Sequence, residues 1–390
     1  MIKKVVLDKA DRLYHFPLDI DDYFPRRTLS TSQRRLPLID LGHFHWPISD
    51  ENLKPSADPL KLATPQDLLL LKQTLSSWLE ANYSISADPR REIYIGHGIR
   101  RIIFDLCLAF VEPGDMVLCP EPGMPAYRRC VIAAGGIPIS YLLTEKSDHK
   151  PSFKKLSPSL LKTAKIIILN NPHNPLGSIL DDISLSELIQ IASKNNIFVV
   201  NDAAYSCLSW EKYFSLLSIY KGEKVALEIF SFPFTFGLPH TPLGFAVGSS
   251  EIVNGLETAG KVAGLFIPKA SIEIILNAIK NYPSEELRKA KREIDHSRLA
   301  AIQLAEQFGW KVMGCGNSPF VWLRIPGRRQ SLTFANTLLR RRGILTLPGT
   351  AFGESGEGYL RLSLTAEAND FKAAGERLSR RIIFRNRERE

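Results

Sequence analysis

The sequence predicts an α/β protein: a large domain built on a mostly parallel sheet flanked by helices, followed by a smaller α+β domain. Two observations carry this. Short β-branched apolar runs alternate with stretches of helical apolar spacing through the middle of the chain. A long amphipathic segment at about 285–308 then breaks the alternation, and a different pattern follows it.

Residues 99–111 carry the first clear helical spacing, and 185–193 the next. Around them, 116–119, 165–169, 197–200, 227–230 and 244–247 are apolar on both faces and bounded by turn residues. That is the pattern of strands covered by helices on both sides, and repeated strand–helix–strand units imply parallel pairing. Beyond the long helix, 320–325 and 359–364 read as strands around a helical 331–342. The expected division places the large domain at 51–284. The smaller domain is expected to combine 1–50 with 285–390, taking material from both chain ends.

Composition narrows the functional classes. With 44% hydrophobic and 23% charged residues the chain is globular in type, which excludes wholesale disorder. No stretch approaches the roughly 20 apolar residues of a membrane span. The opening Met1-Ile2-Lys3-Lys4 has no apolar signal-type core, and five cysteines without a C-x-x-C pair offer no disulfide framework. A cytoplasmic protein is expected. The net charge of +9 invites a nucleic-acid reading, but its clusters do not support one. Arg340-Arg341-Arg342 falls where cations complement a helix C-terminus, and the tail from Arg380 mixes both signs. Neither a nucleic acid nor a membrane is expected as a partner.

In an open parallel sheet, ligands collect beyond the C-terminal ends of the strands. Three predicted ends carry polar sequences: Asn170-Asn171-Pro172-His173-Asn174-Pro175-Leu176-Gly177, Asn201-Asp202-Ala203-Ala204-Tyr205, and Ser231-Phe232-Pro233-Phe234-Thr235-Phe236-Gly237. A fourth phrase, Gly358-Tyr359-Leu360-Arg361-Leu362-Ser363-Leu364-Thr365, lies near the C-terminus. Singly, each is ordinary turn chemistry.

In this order they resemble the class I/II aminotransferases, which are fold-type-I enzymes dependent on pyridoxal phosphate (PLP). The resemblance runs from about Ile39 to Thr365. Gly114-Asp115, Pro120-Glu121-Pro122-Gly123-Met124-Pro125-Ala126-Tyr127 and Pro348-Gly349-Thr350-Ala351-Phe352-Gly353 bring it nearest to the LL-diaminopimelate aminotransferase-like branch. It implies a PLP-dependent transferase-like fold, a homodimer, and amino acid or 2-oxo acid ligands. Asp202 matches the carboxylate that pairs with the protonated pyridine nitrogen. Asn174 and Tyr205 match the groups that hold the cofactor's phenolic oxygen, and Ser231 matches a phosphate contact. Gly98 keeps the backbone approach to phosphate at a helix N-terminus. Arg361 matches the fork that clamps a substrate carboxylate.

Two essential residues are missing. Aligned without a gap on Ser231 and Gly244, the position of the Schiff-base lysine is Phe234, and that of the phosphate-binding arginine is Pro242. No Lys or Arg occurs between Val225 and Gly260, so no small shift of register restores either. Met124 replaces the tyrosine that stacks on the cofactor ring, and Gly96-His97-Gly98-Ile99 replaces a Gly-Ser phosphate loop. Losing the lysine's acid–base action alone costs roughly 10²–10⁴ in rate. Losing the arginine costs about 1.5–3 kcal/mol of phosphate binding. No catalytic residue is therefore assigned.

The expected protein is a catalytically degenerate aminotransferase homologue in which PLP binding is itself in question. Two alternatives remain open: a PLP enzyme with altered, lysine-independent chemistry, and a non-catalytic amino-acid or keto-acid binding or regulatory protein using Arg361. His240, six positions beyond Phe234, is a weaker stand-in for the missing base. His43 and His45 alternate onto one face. With no obvious carboxylate partner they read as pocket lining, and no metal is expected.

Overall fold

A strand that is apolar on both faces needs helices on both sides, and the chain folds accordingly. The computed structural model describes residues 15–24, 36–47, 61–239, 241–327 and 329–379. His240 and the basic tail from Arg380 lie outside them.

The strands are β1 (Ile39–Asp40), β2 (Ile93–Gly96), β3 (Met116–Glu121), β4 (Ile137–Leu142), β5 (Ala164–Asn170), β6 (Phe198–Asp202), β7 (Ala226–Ser231), β8 (Gly244–Gly248), β9 (Lys311–Cys315), β10 (Phe320–Arg324), β11 (Ile344–Leu345), β12 (Leu347–Pro348) and β13 (Tyr359–Ser363). The helices are α1 (Pro65–Tyr83), α2 (Gly98–Phe110), α3 (Pro125–Ala133), α4 (Pro158–Thr163), α5 (Asp182–Asn195), α6 (Gly222–Val225), α7 (Phe232–Phe236), α8 (Ser250–Val262), α9 (Lys269–Lys280), α10 (Glu285–Gln307), α11 (Ser331–Arg342) and α12 (Ala368–Ser379).

Seven strands form the central sheet in the order β2-β8-β7-β6-β5-β3-β4. Its parallel heart is the run β7-β6-β5-β3-β4. Every residue of β7 and β8 is buried, as expected for strands covered on both faces. One layer sets α2, α3 and α8 against the sheet through Ile102, Leu106, Val131 and Leu256. On the other face α5 brings Leu185 and Leu188 onto Ile167 and Val199, while α1 and α9 bring Leu71, Leu75 and Ile275 onto Phe230 and Phe245.

β8 runs antiparallel to both β7 and β2. The five-residue α7 between β7 and β8 is too short to carry the chain back along the sheet, so the chain reverses instead. The both-faces-apolar criterion passes over β4, an edge strand whose residues are mostly half-buried or exposed.

The smaller unit contains a four-stranded antiparallel sheet, β12-β13-β10-β9. Leu287, Ile294, Ala301 and Leu304 of α10 and Phe371 of α12 share its core with Leu323, Leu360 and Leu362. β1 pairs in parallel with β11, Ile39 opposite Ile344 and Asp40 opposite Leu345, which brings an N-terminal segment onto C-terminal structure. Ser284 caps α10 by accepting from the Leu287 amide. Arg340, Arg341 and Arg342 occupy the last turn of α11, which ends on Gly343 at φ +66°. Among the described residues no helix is long and apolar enough to cross a membrane.

Candidate functional site

The C-terminal ends of β5, β6 and β7 lie side by side, since Asn170 pairs with Asp202 and Asp202 with Ile229. The chain leaves each strand through a polar turn, and these turns meet α3, α7 and β13. Asp202 closes β6 and is almost fully buried. Its Oδ2 accepts a hydrogen bond from the Tyr127 hydroxyl at 2.7 Å, and its Oδ1 accepts from the Ala204 amide at 3.0 Å. Burial pushes this carboxyl up to about 6, although both donors favour the charged form.

Asn174 and Tyr205 are brought together as the resemblance implies. The Asn174 amide nitrogen Nδ2 donates to the Tyr205 hydroxyl at 3.2 Å and lies 3.2 Å from the Met124 sulfur. The turn is held from below, where Asn170 Oδ1 accepts from the Asn174 backbone at 2.7 Å. Burial, then the Asp202 charge, raises the Tyr205 pKa, so the phenol stays protonated.

Arg361 reaches the same place from β13. Its guanidinium donates to Asn174 Oδ1 at 3.3 Å and to the Gly42 carbonyl at 3.1 Å. It lies 3.9 Å over the Phe320 ring and 5.2 Å from the Phe352 ring centre. The residue is only 4% exposed, and its Nε has no partner. Among the described residues Arg361 forms no salt bridge, so a buried cation stands without an anion. Burial draws its pKa down to about 10, which still leaves it charged at neutral pH.

Phe234, in α7, occupies the predicted lysine position as part of an aromatic cluster. Its ring centre lies 5.0 Å from Phe44, 5.5 Å from Trp46 and 5.0 Å from Tyr205. Edge and tilted contacts of this kind suit aromatic quadrupoles. Phe320 extends the cluster, 6.1 Å from Phe44 and 5.7 Å from Tyr205.

Gly98 opens α2 at φ +75°. A Cβ placed on it would meet the Pro242 carbonyl oxygen at 3.6 Å, and one placed on Gly244 would meet Gly98 Cα at 3.4 Å. Ser231 is buried where β7 passes into α7, and its side chain makes no capping bond to that helix.

Asp202, Asn174 and Tyr205 are assembled as a polar floor with the Phe234 ring against Tyr205. The stretch between Lys224 and Lys261 holds no Lys or Arg, but the charges of Arg361 and of Arg100, in the first turn of α2, both reach Tyr205 and act against the rise in its pKa.

His43 and His45 are not lining here. Phe44 and Trp46 face Phe234, while the two histidines gather on Asp40, the carboxylate partner that sequence reasoning did not see. Tyr127, Phe44, Trp46 and Phe320 also went unassigned. Phe44 and Trp46 alternate with the histidines and so necessarily take the opposite face. Nothing local marks Tyr127, which is 75 residues from Asp202.

Comparison with known proteins places this chain in a family. The family model "Aminotransferase class I and II" matches residues 50–378. An LL-diaminopimelate aminotransferase from Aquifex aeolicus is 31% identical over 391 residues, covering 95% of this chain and 98% of the relative. One from Halothermothrix orenii is 30% identical over 316 residues, covering 79% of each. In fold, the chain is similar to a probable N-succinyldiaminopimelate aminotransferase from Thermus thermophilus, with TM-score 0.80, 24% identity, and coverage of 92% of this chain and 98% of that one. A Thermus thermophilus aspartate aminotransferase double mutant superposes with TM-score 0.81 at 18% identity, covering 96% and 99%. The chain therefore belongs to the class I and II aminotransferase family.

Proposed function

We propose that this chain is a catalytically degenerate member of its family, one that does not transfer amino groups through a lysine and instead binds a small carboxylate, an amino acid or 2-oxo acid, on Arg361. The observation that carries the first half is Phe234. A phenyl ring wedged among Phe44, Trp46 and Tyr205 offers neither a nucleophile nor a base. Support for the ligand comes from Arg361, because a buried guanidinium without a carboxylate is costly until an anion joins it.

In this reading Asp202, Asn174, Tyr205, Ser231, Gly98 and Met124 are the remains of a cofactor floor. Arg361 binds and orients the carboxylate, and the aromatic cluster keeps water from it. Membership of the family supports a homodimer. The proposed division keeps 51–284 as the larger domain and joins 1–50 to 285–390, in a cytoplasmic protein.

The test is the visible spectrum of the purified protein with added PLP. No cofactor band is expected, and a band that shifts when amino acids are added would overturn the reading. A Phe234→Lys, Pro242→Arg double variant should acquire a covalent PLP band if the floor is still shaped for it. Thermal stabilisation by 2-oxo acids that persists in Arg361→Ala would remove the ligand assignment.

A further inference from the structure

Residues 40–46 present two faces. One carries Phe44 and Trp46 onto Phe234; the other gathers Asp40, His43 and His45. This second cluster is independent of the reading above.

Asp40 sits at the end of β1, anchored by pairing with Leu345. Its Oδ1 accepts from the backbone amides of Gly42 and His43, both at 3.0 Å. That fixes the carboxylate and leaves Oδ2 turned to the imidazoles. His43 Nδ1 approaches Oδ2 at 2.7 Å and His45 Nε2 at 3.5 Å. One donor atom from each of the three residues lies within 4.8 Å of the others.

The His43 ring and the His45 backbone are each held by a separate contact. His43 stacks on Phe24 with ring centres 3.6 Å apart. The His45 amide donates to Thr365 Oγ1 at 3.0 Å. Gly42, beside His43, has no room for a side chain, since a Cβ there would come within 2.9 Å of Phe24. The loop is thus pinned at both ends and along its length. Side-chain exposures of 25% for Asp40, 34% for His43 and 68% for His45 leave an open route for an ion.

We propose that Asp40, His43 and His45 form a three-ligand site for a divalent transition metal of the zinc type, with a fourth position open to water. Two imidazole nitrogens and one carboxylate oxygen suit Zn²⁺, whereas Ca²⁺ and Mg²⁺ favour all-oxygen shells. Metal–ligand bonds of about 2.0–2.2 Å in a tetrahedron set neighbouring donors roughly 3.3–3.5 Å apart. The His45 contact already meets that spacing, and the His43 contact opens by about 0.6 Å once the ion replaces its hydrogen bond. Bound there, the ion staples the loop from which Phe44 and Trp46 project.

Zn²⁺ titrated calorimetrically into the metal-stripped full chain tests this. One equivalent per chain is expected. His45→Ala and Asp40→Asn should each weaken binding about tenfold or more. His296→Ala, a histidine on α10 remote in sequence from the cluster, should leave it unchanged. Co²⁺ in place of Zn²⁺ should produce the visible absorption of a low-coordinate nitrogen–oxygen site, lost in the same two variants. Absence of saturable Zn²⁺ binding, or binding that survives His45→Ala unaltered, overturns the proposal. Because the His45 side chain is mostly exposed, that variant decides the matter even if Asp40→Asn disturbs the fold.

Discussion

The Tyr127 hydroxyl donates to Asp202 Oδ2 at 2.7 Å, and both residues are buried. This bond favours the charged carboxylate against the burial that raises its pKa from 3.8 to about 6. A folded-state pKa above the unfolded value means that the folded protein holds the proton more tightly. Its contribution to stability is full below about 4 and is lost as pH rises through about 6. The difference corresponds to about 3 kcal/mol. Asp202→Asn should therefore gain stability relative to the parent as pH rises from 4 to 7, as read by urea unfolding across that range. A flat difference would show that Asp202 titrates normally. Tyr127→Phe removes the favourable donor and should raise the Asp202 pKa further, seen in the carboxyl carbon resonance.

Phe234→Ala empties the centre of the ring cluster that includes Phe44, Trp46 and Tyr205. Because Phe234 is only partly buried, the expected loss is about 2–3 kcal/mol, below the cost of a fully buried phenylalanine. Chemical denaturation measures it. A loss under about 0.5 kcal/mol would mean that the cluster does not depend on this ring.

Arg361→Met tests the buried cation. A thioether of similar length removes the charge, so the ligand-free variant should melt no lower than the parent. Stabilisation by 2-oxo acids should disappear in the same variant. A marked fall in the melting temperature without ligand would show that the contacts to Asn174 and Gly42 outweigh the desolvation of the charge.

Glu228, in the middle of β7, has no exposed surface. Its carboxylate accepts from the Tyr213 hydroxyl at 2.7 Å, the Ser215 hydroxyl at 2.6 Å, the Leu216 amide at 2.9 Å and Asn201 Nδ2 at 3.2 Å. Glu228→Ala leaves these donors without their acceptor and should cost about 3 kcal/mol or more. Glu228→Gln, which keeps one acceptor oxygen, should cost less. Equal losses in the two variants, measured by urea denaturation, would assign the cost to volume rather than hydrogen bonding.

By itself the sequence determined the class of fold and the position of most buried strands. Those properties are local: a strand apolar on both faces reads as such wherever it lies. It also placed Asn174, Asp202, Tyr205 and Arg361 in one site, through the order of three strand-end phrases and a fourth phrase near the C-terminus. Only the tertiary structure decided that β8 runs backwards, because direction depends on the length of α7 rather than on the strand. It alone joined Tyr127 to Asp202 across 75 residues and Arg361 to Asn174 across 187. It also turned Phe44 and Trp46 inward and gathered His43 and His45 on Asp40. Alternation puts two residues on one face, but which face meets the core depends on packing against elements far away in the chain.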